Sequence, residues 1–99
     1  MDTVVEFASF RLKDDVTSMQ VAETHDGTNA VLKEQPGFLY RSISHDDEGN
    51  WFDIIYWESM EAATAGSQAF MKSAIGKALC NLVDNNTCVV RKMAVESEA

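Results

Sequence analysis

The chain of 99 residues is predicted to form a single α+β domain over residues 1–99 with a ferredoxin-like fold: a four-stranded antiparallel sheet with helices on one face. Two observations predict it. Between Phe38 and Glu58, two aromatic-rich apolar runs flank a short polar loop containing Gly49, which is typical of an antiparallel hairpin. One strand pattern and one helical region lie on each side of this hairpin, so the order is βαββαβ. Residues 96–99 are expected to be a frayed acidic tail.

The first strand is predicted over Thr3 to Leu12, where both alternating faces are mostly apolar. Such a pattern indicates a strand that is covered on both sides. Glu6 is the exception, since it places a carboxylate on the face that carries Val4 and Phe10. Two interpretations stay open for Glu6: an edge or interface carboxylate paired with a base, or a carboxylate in a ligand pocket.

The first helical region is predicted to run from Ser18 to Glu34 and to end before Pro36. Thr17 is the expected N-cap, because Gln20 follows three residues later, as in a capping box. Its inward positions at helical spacing are unusually polar: Val21, Ala22, His25, Thr28 or Asn29, and Leu32. His25 could line a cavity, or it could be a core histidine satisfied by one buried hydrogen bond.

The second half of the chain is predicted to contain a helix that begins after Ser59 and ends near Lys72. Ser73 then starts a second short helix. Residues 84–86 read Asp-Asn-Asn and are predicted to be a loop, and Thr87 to Val95 alternates as the last strand.

Composition excludes several classes of partner. The chain has 16 acidic and 8 scattered basic residues and a net charge of −8, which argues against nucleic acid and against an anionic membrane. No run approaches the ~20 apolar residues of a membrane span, and no basic segment followed by an apolar one resembles a signal peptide. A cytoplasmic location is therefore expected. Cys80 and Cys88 lack a metal-binding spacing and are predicted to be reduced, buried thiols, with no metal site.

The predicted sheet has a second apolar face. On the third strand Trp51 and Trp57 share one side, whereas Phe52, Ile54 and Tyr56 share the other. Because both helical regions cover only one face, the opposite face would be exposed on a monomer, and soluble monomers rarely expose an apolar patch of that size. We therefore expect a twofold homodimer that packs sheet to sheet.

A family resemblance rests on residues that extend over nearly the whole chain. They are Pro36-Gly37-Phe38, Trp51, Ile54-Ile55-Tyr56-Trp57-Glu58-Ser59, Ala62 and Phe70-Met71. The pattern resembles the antibiotic-biosynthesis-monooxygenase (ABM)-type family of dimeric α+β barrels. The resemblance implies a barrel made of two sheets, with a pocket in each subunit between sheet and helices. The activities that it implies are oxygenation of quinols or polyphenols without a cofactor and oxidative haem breakdown, while other members of the family have no known activity.

The haem-degrading branch of that family uses an Asn, a Trp and a His. Placed without gaps, these positions hold Phe10, Gly66 and Cys80 in this chain. None matches, so haem breakdown is not expected and no cofactor is predicted.

Oxygenation without a cofactor needs a base that works near neutral pH to deprotonate the substrate. His25 and His45 are the side chains whose ordinary pKa values start in that range. His25 is the predicted catalytic base, because its helix directs it at the sheet, while His45 lies at the hairpin tip. Glu6 and Asp53 are alternative pocket carboxylates, although an ion pair of Asp53 with an arginine explains its position equally well.

The substrate anion also needs a positive or hydrogen-bonding group. Tyr56 or Arg41 is predicted to stabilise the anion, and Trp51 or Trp57 to wall the pocket. The predicted function is a monooxygenase or related oxidoreductase that acts on a small aromatic or quinol-like metabolite without a cofactor. The alternative is a non-catalytic dimer that binds a small apolar ligand or has a structural or stress-related role, since fold alone does not determine function.

Overall fold

The computed structural model describes residues 2–99. Its elements, in chain order, are β1 (Val4–Leu12), α1 (Ser18–Ala22), α2 (His25–Lys33), β2 (Phe38–His45), β3 (Trp51–Trp57), α3 (Met60–Lys72), α4 (Ala74–Cys80) and β4 (Val83–Ala94). The strands form one antiparallel sheet in the order β2-β3-β1-β4. This is the ferredoxin-like arrangement, so the predicted fold class is confirmed. The predicted start of α3 after Ser59 and the new helix after Ser73 are confirmed as well.

The first helical region is two helices, so the prediction of one helix from Ser18 to Glu34 is wrong. The Thr24 hydroxyl donates to the Val21 carbonyl at 2.7 Å, at the junction between α1 and α2. Such a bond offers the backbone an alternative to a regular helical hydrogen bond, and this one lies where the two helices meet. The capping box at Thr17 is confirmed, but Ala22, predicted to face inward, is exposed.

The last strand begins earlier than predicted. β4 starts at Val83 and includes residues 84–86, which were expected to form a loop. Two features hold this segment in the sheet: Asp84 pairs with Arg11, and the Arg11 amide donates to Thr87 Oγ1 at 2.9 Å. The pairing register between β1 and β4 shifts between Ser9 and Arg11. The turn-forming residues therefore make an irregularity within β4 and do not end the strand.

The core lies between the sheet and the helices, in two clusters. One contains Val4, Leu32, Ile55, Trp57 and Ala63. The other contains Phe10, Val21, Trp51, Leu79 and Val83. The predicted faces of β1 and β3 are thereby confirmed, because their buried residues alternate and both tryptophans point toward the helices.

The opposite face of the sheet is not covered by any element of the described chain. Cross-strand partners share a face, and the register places eight apolar or aromatic side chains on this one: Val5, Phe7, Tyr40, Phe52, Ile54, Tyr56, Val89 and Met93. We call these residues the bare face. Their rings pair with one another: Phe7 and Phe52 lie 6.2 Å apart and Tyr40 and Tyr56 lie 6.3 Å apart, centroid to centroid. Tyr40 is 57% exposed.

Two kinds of feature are not found between residues 2 and 99. No helix there combines the length and the apolar character needed to cross a bilayer. No three side chains among the described His, Cys, Asp and Glu residues converge in a way that could hold a metal ion.

Candidate active site

A cavity of about 500 Å³ lies between the helix-covered side of the sheet and the helices α3 and α4. Its walls are mostly apolar and include Ala8, Phe10, Leu32, Ile55, Phe70, Met71, Leu79, Val83 and Val90. Its polar side chains are Glu6, Asp53, Ser67, Asn85 and Lys92, together with the thiols of Cys80 and Cys88. An apolar chamber of this size with few polar groups is the usual form of a small-molecule site.

Glu6 is the carboxylate that β1 directs into this cavity. Trp57 Nε1–H donates to Glu6 Oε1 at 3.0 Å, and the Ser67 hydroxyl donates to Oε2. These donors come from β3 and α3, so the orientation of the carboxylate is fixed from two sides. Lys92 faces Glu6 across the β1–β4 pair and also lines the cavity. Glu6 thus lines the cavity and also lies opposite a base, so features of both interpretations are present.

Asp53 lies in the same cavity wall, but both of its carboxylate oxygens accept hydrogen bonds from Arg41. Arg41 Nε and Nη2 donate to the two carboxylate oxygens at 2.9 and 2.8 Å. Its Nη1 donates to Thr28 Oγ1 at 2.8 Å and to Asn29 Oδ1 at 2.9 Å, which ties α2 to the sheet. The ion pair considered for Asp53 is therefore present, and it explains why Thr28 and Asn29 are polar.

Three of the other predicted site residues, His25, Trp51 and Tyr56, lie away from this cavity. His25 lines a separate, shallow depression together with His45 and Trp51, and His45 packs on Trp51 with ring centroids 4.4 Å apart. His25 Nδ1 is buried and has no hydrogen-bond partner among the described residues. Tyr56 belongs to the bare face, on the other side of the sheet. Of the predicted residues, Glu6 and Asp53 thus line the cavity of about 500 Å³, and Trp57 donates a hydrogen bond to Glu6.

The two cysteines are free thiols on different elements, Cys80 at the end of α4 and Cys88 within β4. Cys80 is half-buried on α4, as expected for a helix residue, but the prediction that both are buried is wrong because Cys88 on β4 is exposed. β4 is an edge strand, so the helices cover its inward side only in part.

Sequence reasoning missed Ser67 and Lys92 as site residues. Ser67 follows Ala63 and Gly66 on the inward face of α3, and it is the polar position in the helical series that continues to Phe70. That spacing was visible in the sequence. Lys92 could not be found in the same way, because its place opposite Glu6 depends on the register of two strands that are far apart in the chain.

Comparison with known proteins identifies the fold. No family model and no curated protein matches the chain. Among solved structures, SnoaB, a cofactor-independent oxygenase from Streptomyces nogalater (mutant N63A), is similar with a TM-score of 0.78 and 15% identity, covering 99% of this chain and 97% of that one. The monooxygenase from the gene ActVA-Orf6 of Streptomyces coelicolor, solved in complex with nanaomycin D, has a TM-score of 0.76 and 22% identity, covering 99% and 91%.

A third similar structure is a protein of unknown function from Nitrosomonas europaea, with a TM-score of 0.71 and 14% identity, covering 100% and 94%. The matches therefore extend over whole chains, while the low identities establish the fold and not the reaction. The resemblance found in the sequence is thereby confirmed: this chain has the fold of the antibiotic-biosynthesis-monooxygenase-type proteins.

Proposed function

We propose that the protein is a monooxygenase that acts on a small hydroxylated aromatic compound, without a cofactor, in the cavity that Glu6 lines. The observation that carries the proposal is a single oriented carboxylate, held by Trp57 and Ser67, in an apolar chamber of about 500 Å³. The shared fold with a cofactor-independent oxygenase supports the same class of reaction.

Glu6 is the proposed general base. An aromatic hydroxyl that enters the cavity can bind to the carboxylate and lose its proton to it, and a base that is already oriented makes that transfer efficient. Lys92 lies beside Glu6 on the neighbouring strand, so its ammonium group is placed to stabilise the resulting anion. Arg41, the group first expected in that role, already donates to Asp53, Thr28 and Asn29.

The reaction balances without a cofactor. The deprotonated, electron-rich ring reduces dioxygen, one oxygen atom becomes bonded to a ring carbon that carried hydrogen, and the other leaves as water. A ring C–H and a hydroxyl are thereby converted into the two carbonyls of a quinone. The apolar walls contribute by excluding bulk water from the reactive anion.

Replacement of Glu6 by glutamine tests this proposal, because the change keeps the size and one acceptor oxygen for the Trp57 hydrogen bond but removes the base. We expect the rate of oxygen consumption with an anthrone or a naphthol to fall about 100-fold. The measurement is oxygen uptake, corrected for autoxidation, with mass spectrometry of the product formed under ¹⁸O₂. Glu34→Gln, at an exposed carboxylate on the far end of α2, is the matched control and should keep the full rate.

Two results would count against this proposal. Equal turnover by the wild type and Glu6→Gln would remove Glu6 from the mechanism. Saturable binding of the aromatic compound without any incorporation of ¹⁸O would support the alternative of a non-catalytic ligand-binding protein.

We also propose that the protein is a homodimer in which two copies cover each other's bare face. The accessible surface of the chain is 6309 Å², whereas a folded monomer of 11.0 kDa is expected to expose roughly 5600 Å². The excess is close to the ~800 Å² that each partner buries in a stable interface. A cytoplasmic location completes the proposal, and it suits a protein whose two thiols are both free.

A charge in the centre of the bare face should separate the two copies. Ile54 pairs with Phe7 and Ser42 at the middle of that face, so Ile54→Glu would bury two like charges, one from each copy, among aromatic side chains. We expect the variant to elute as a folded monomer at concentrations where the wild type is a dimer, as measured by light scattering coupled to size-exclusion chromatography. Thr64→Glu, on the exposed side of α3, is the control and should stay dimeric. A monomeric wild type would refute the proposal.

A further inference from the structure

Three sulfur atoms lie in the wall of the cavity. Cys80, Cys88 and Met71 all line it, and the Cys80 thiol donates a hydrogen bond to Met71 Sδ at 3.6 Å. The proposed mechanism uses none of them. The surroundings of the two thiols nevertheless differ, and the difference predicts different reactivity for Cys80 and Cys88.

Cys80 is the unreactive thiol of the pair. Burial raises its pKa, and the nearby Cys88 and Asp53 groups raise it further, so the protonated form is favoured. Its hydrogen is also directed to Met71. Because the thiolate is the nucleophile in cysteine chemistry, Cys80 is poorly suited to attack a ligand.

Cys88 is placed differently. It is exposed, and it lies on the helix-covered side of β4, two positions from Val90, which lines the cavity as well. A molecule can thus reach Cys88 from the cavity without any movement of the core. The thiol is therefore accessible and lines a mostly apolar cavity.

We propose that Cys88 is a covalent acceptor for quinones that occupy the cavity. The thiolate adds to a ring carbon conjugated to a quinone carbonyl, one carbon–sulfur bond forms, and the electron pair moves to the carbonyl oxygen, which takes up a proton. The hydrogen on the attacked ring carbon then moves to the second carbonyl oxygen, which gives a hydroquinone thioether. No atom leaves, and the quinone is itself the electron acceptor, so the step needs no further oxidant.

The inference rests on the proposed function for the source of the quinone, since oxygenation of a hydroxylated aromatic compound would generate one in this cavity. The addition itself needs no turnover. An adduct at Cys88 would occupy the cavity. Accumulated quinone product would therefore block substrate binding irreversibly.

The addition is tested on the whole protein with 1,4-naphthoquinone under anaerobic conditions, using intact-mass spectrometry and peptide mapping. We expect one adduct with the full mass of the quinone, located at Cys88, and absent in Cys88→Ser. The double variant Cys88→Ser/Thr64→Cys is the matched control, because it places an exposed thiol on α3 outside the cavity. The thiol of Cys88 should react at least about tenfold faster than that control thiol, since binding raises the local concentration of the quinone. Naphthalene, which fits the cavity but accepts no nucleophile, should slow only the reaction at Cys88.

Equal rates at the two thiols, or no protection by naphthalene, would show ordinary reactivity of an exposed cysteine and overturn the inference. Preferential reaction at Cys80 would overturn it as well. The proposed function is scored separately by oxygen uptake. An adduct at Cys88 without oxygen consumption would refute the monooxygenase activity and support the role of Cys88. Oxygen consumption with no adduct at Cys88 would support the monooxygenase activity and refute the role of Cys88.

Discussion

Arg41→Ala should lower the free energy of unfolding by about 3–5 kcal/mol, because it leaves a buried carboxylate without its counter-charge. The Arg41 side chain is 2% exposed and that of Asp53 is 11% exposed. The guanidinium also supplies the hydrogen bonds that join Thr28 and Asn29 of α2 to β2 and β3. The measurement is chemical denaturation followed by tryptophan fluorescence, with the urea midpoint and slope fitted together.

Two controls separate the buried pair from the loss of an arginine in general. Arg11→Ala removes an exposed guanidinium that binds Asn50, and it should cost under about 1 kcal/mol. The double variant Arg41→Leu/Asp53→Leu removes both charges, so it should recover most of the stability lost in Arg41→Ala. A cost for Arg41→Ala no larger than that for Arg11→Ala would show that the pair does not stabilise the fold.

Gly66→Ala should also destabilise the protein strongly, by at least about 2 kcal/mol, although alanine is the better helix former. A Cβ atom at position 66 would lie 2.0 Å from Cη2 and 2.4 Å from Cζ3 of Trp57. Trp57 is fully buried, so its ring cannot move away. α3 can therefore approach the sheet only if this position has no side chain. The loss should appear as a lower urea midpoint with an unchanged slope.

A double-mutant cycle with Trp57→Phe identifies the cause. Phenylalanine lacks the outer ring that the new methyl group would meet, so Gly66→Ala should cost little in the Trp57→Phe background. A coupling energy of about 1–3 kcal/mol is expected between the two sites. Equal costs in both backgrounds would place the strain elsewhere.

Much of the fold could be predicted because the sheet and core follow from local patterns. Alternation along β1 and β3 gave the correct inward faces, and Ser59 and Ser73 marked the starts of α3 and α4. The errors arose where the local sequence does not decide the structure. Nothing in the sequence distinguishes Thr24, at the junction between α1 and α2, from an ordinary helical threonine. The Asp-Asn-Asn sequence of residues 84–86 is typical of a turn, but Asp84 pairs with Arg11 and β4 continues beyond a register shift.

The candidate site was harder to predict because its parts meet only in the folded sheet. Glu6 and Asp53 were chosen as unusual carboxylates on apolar faces, and both line the cavity. The partners of Glu6 were not foreseen, because Ser67 is 61 residues away along the chain and helical spacing alone does not say which strand it reaches. His25 was chosen for its ordinary pKa range, but the break before α2 directs it to a different depression.

The strand order has a consequence for how the protein is made. β1, the first strand to be synthesised, lies between β3 and β4, and Val4 faces Trp57 on one side and Ala94 on the other. Contacts between residues so distant in sequence form slowly, because a long loop must close before they contribute. Until residues 83–94 have left the ribosome, β4 is missing and one side of β1 is exposed, together with one wall of the cavity. The domain is therefore complete only when this last strand has emerged.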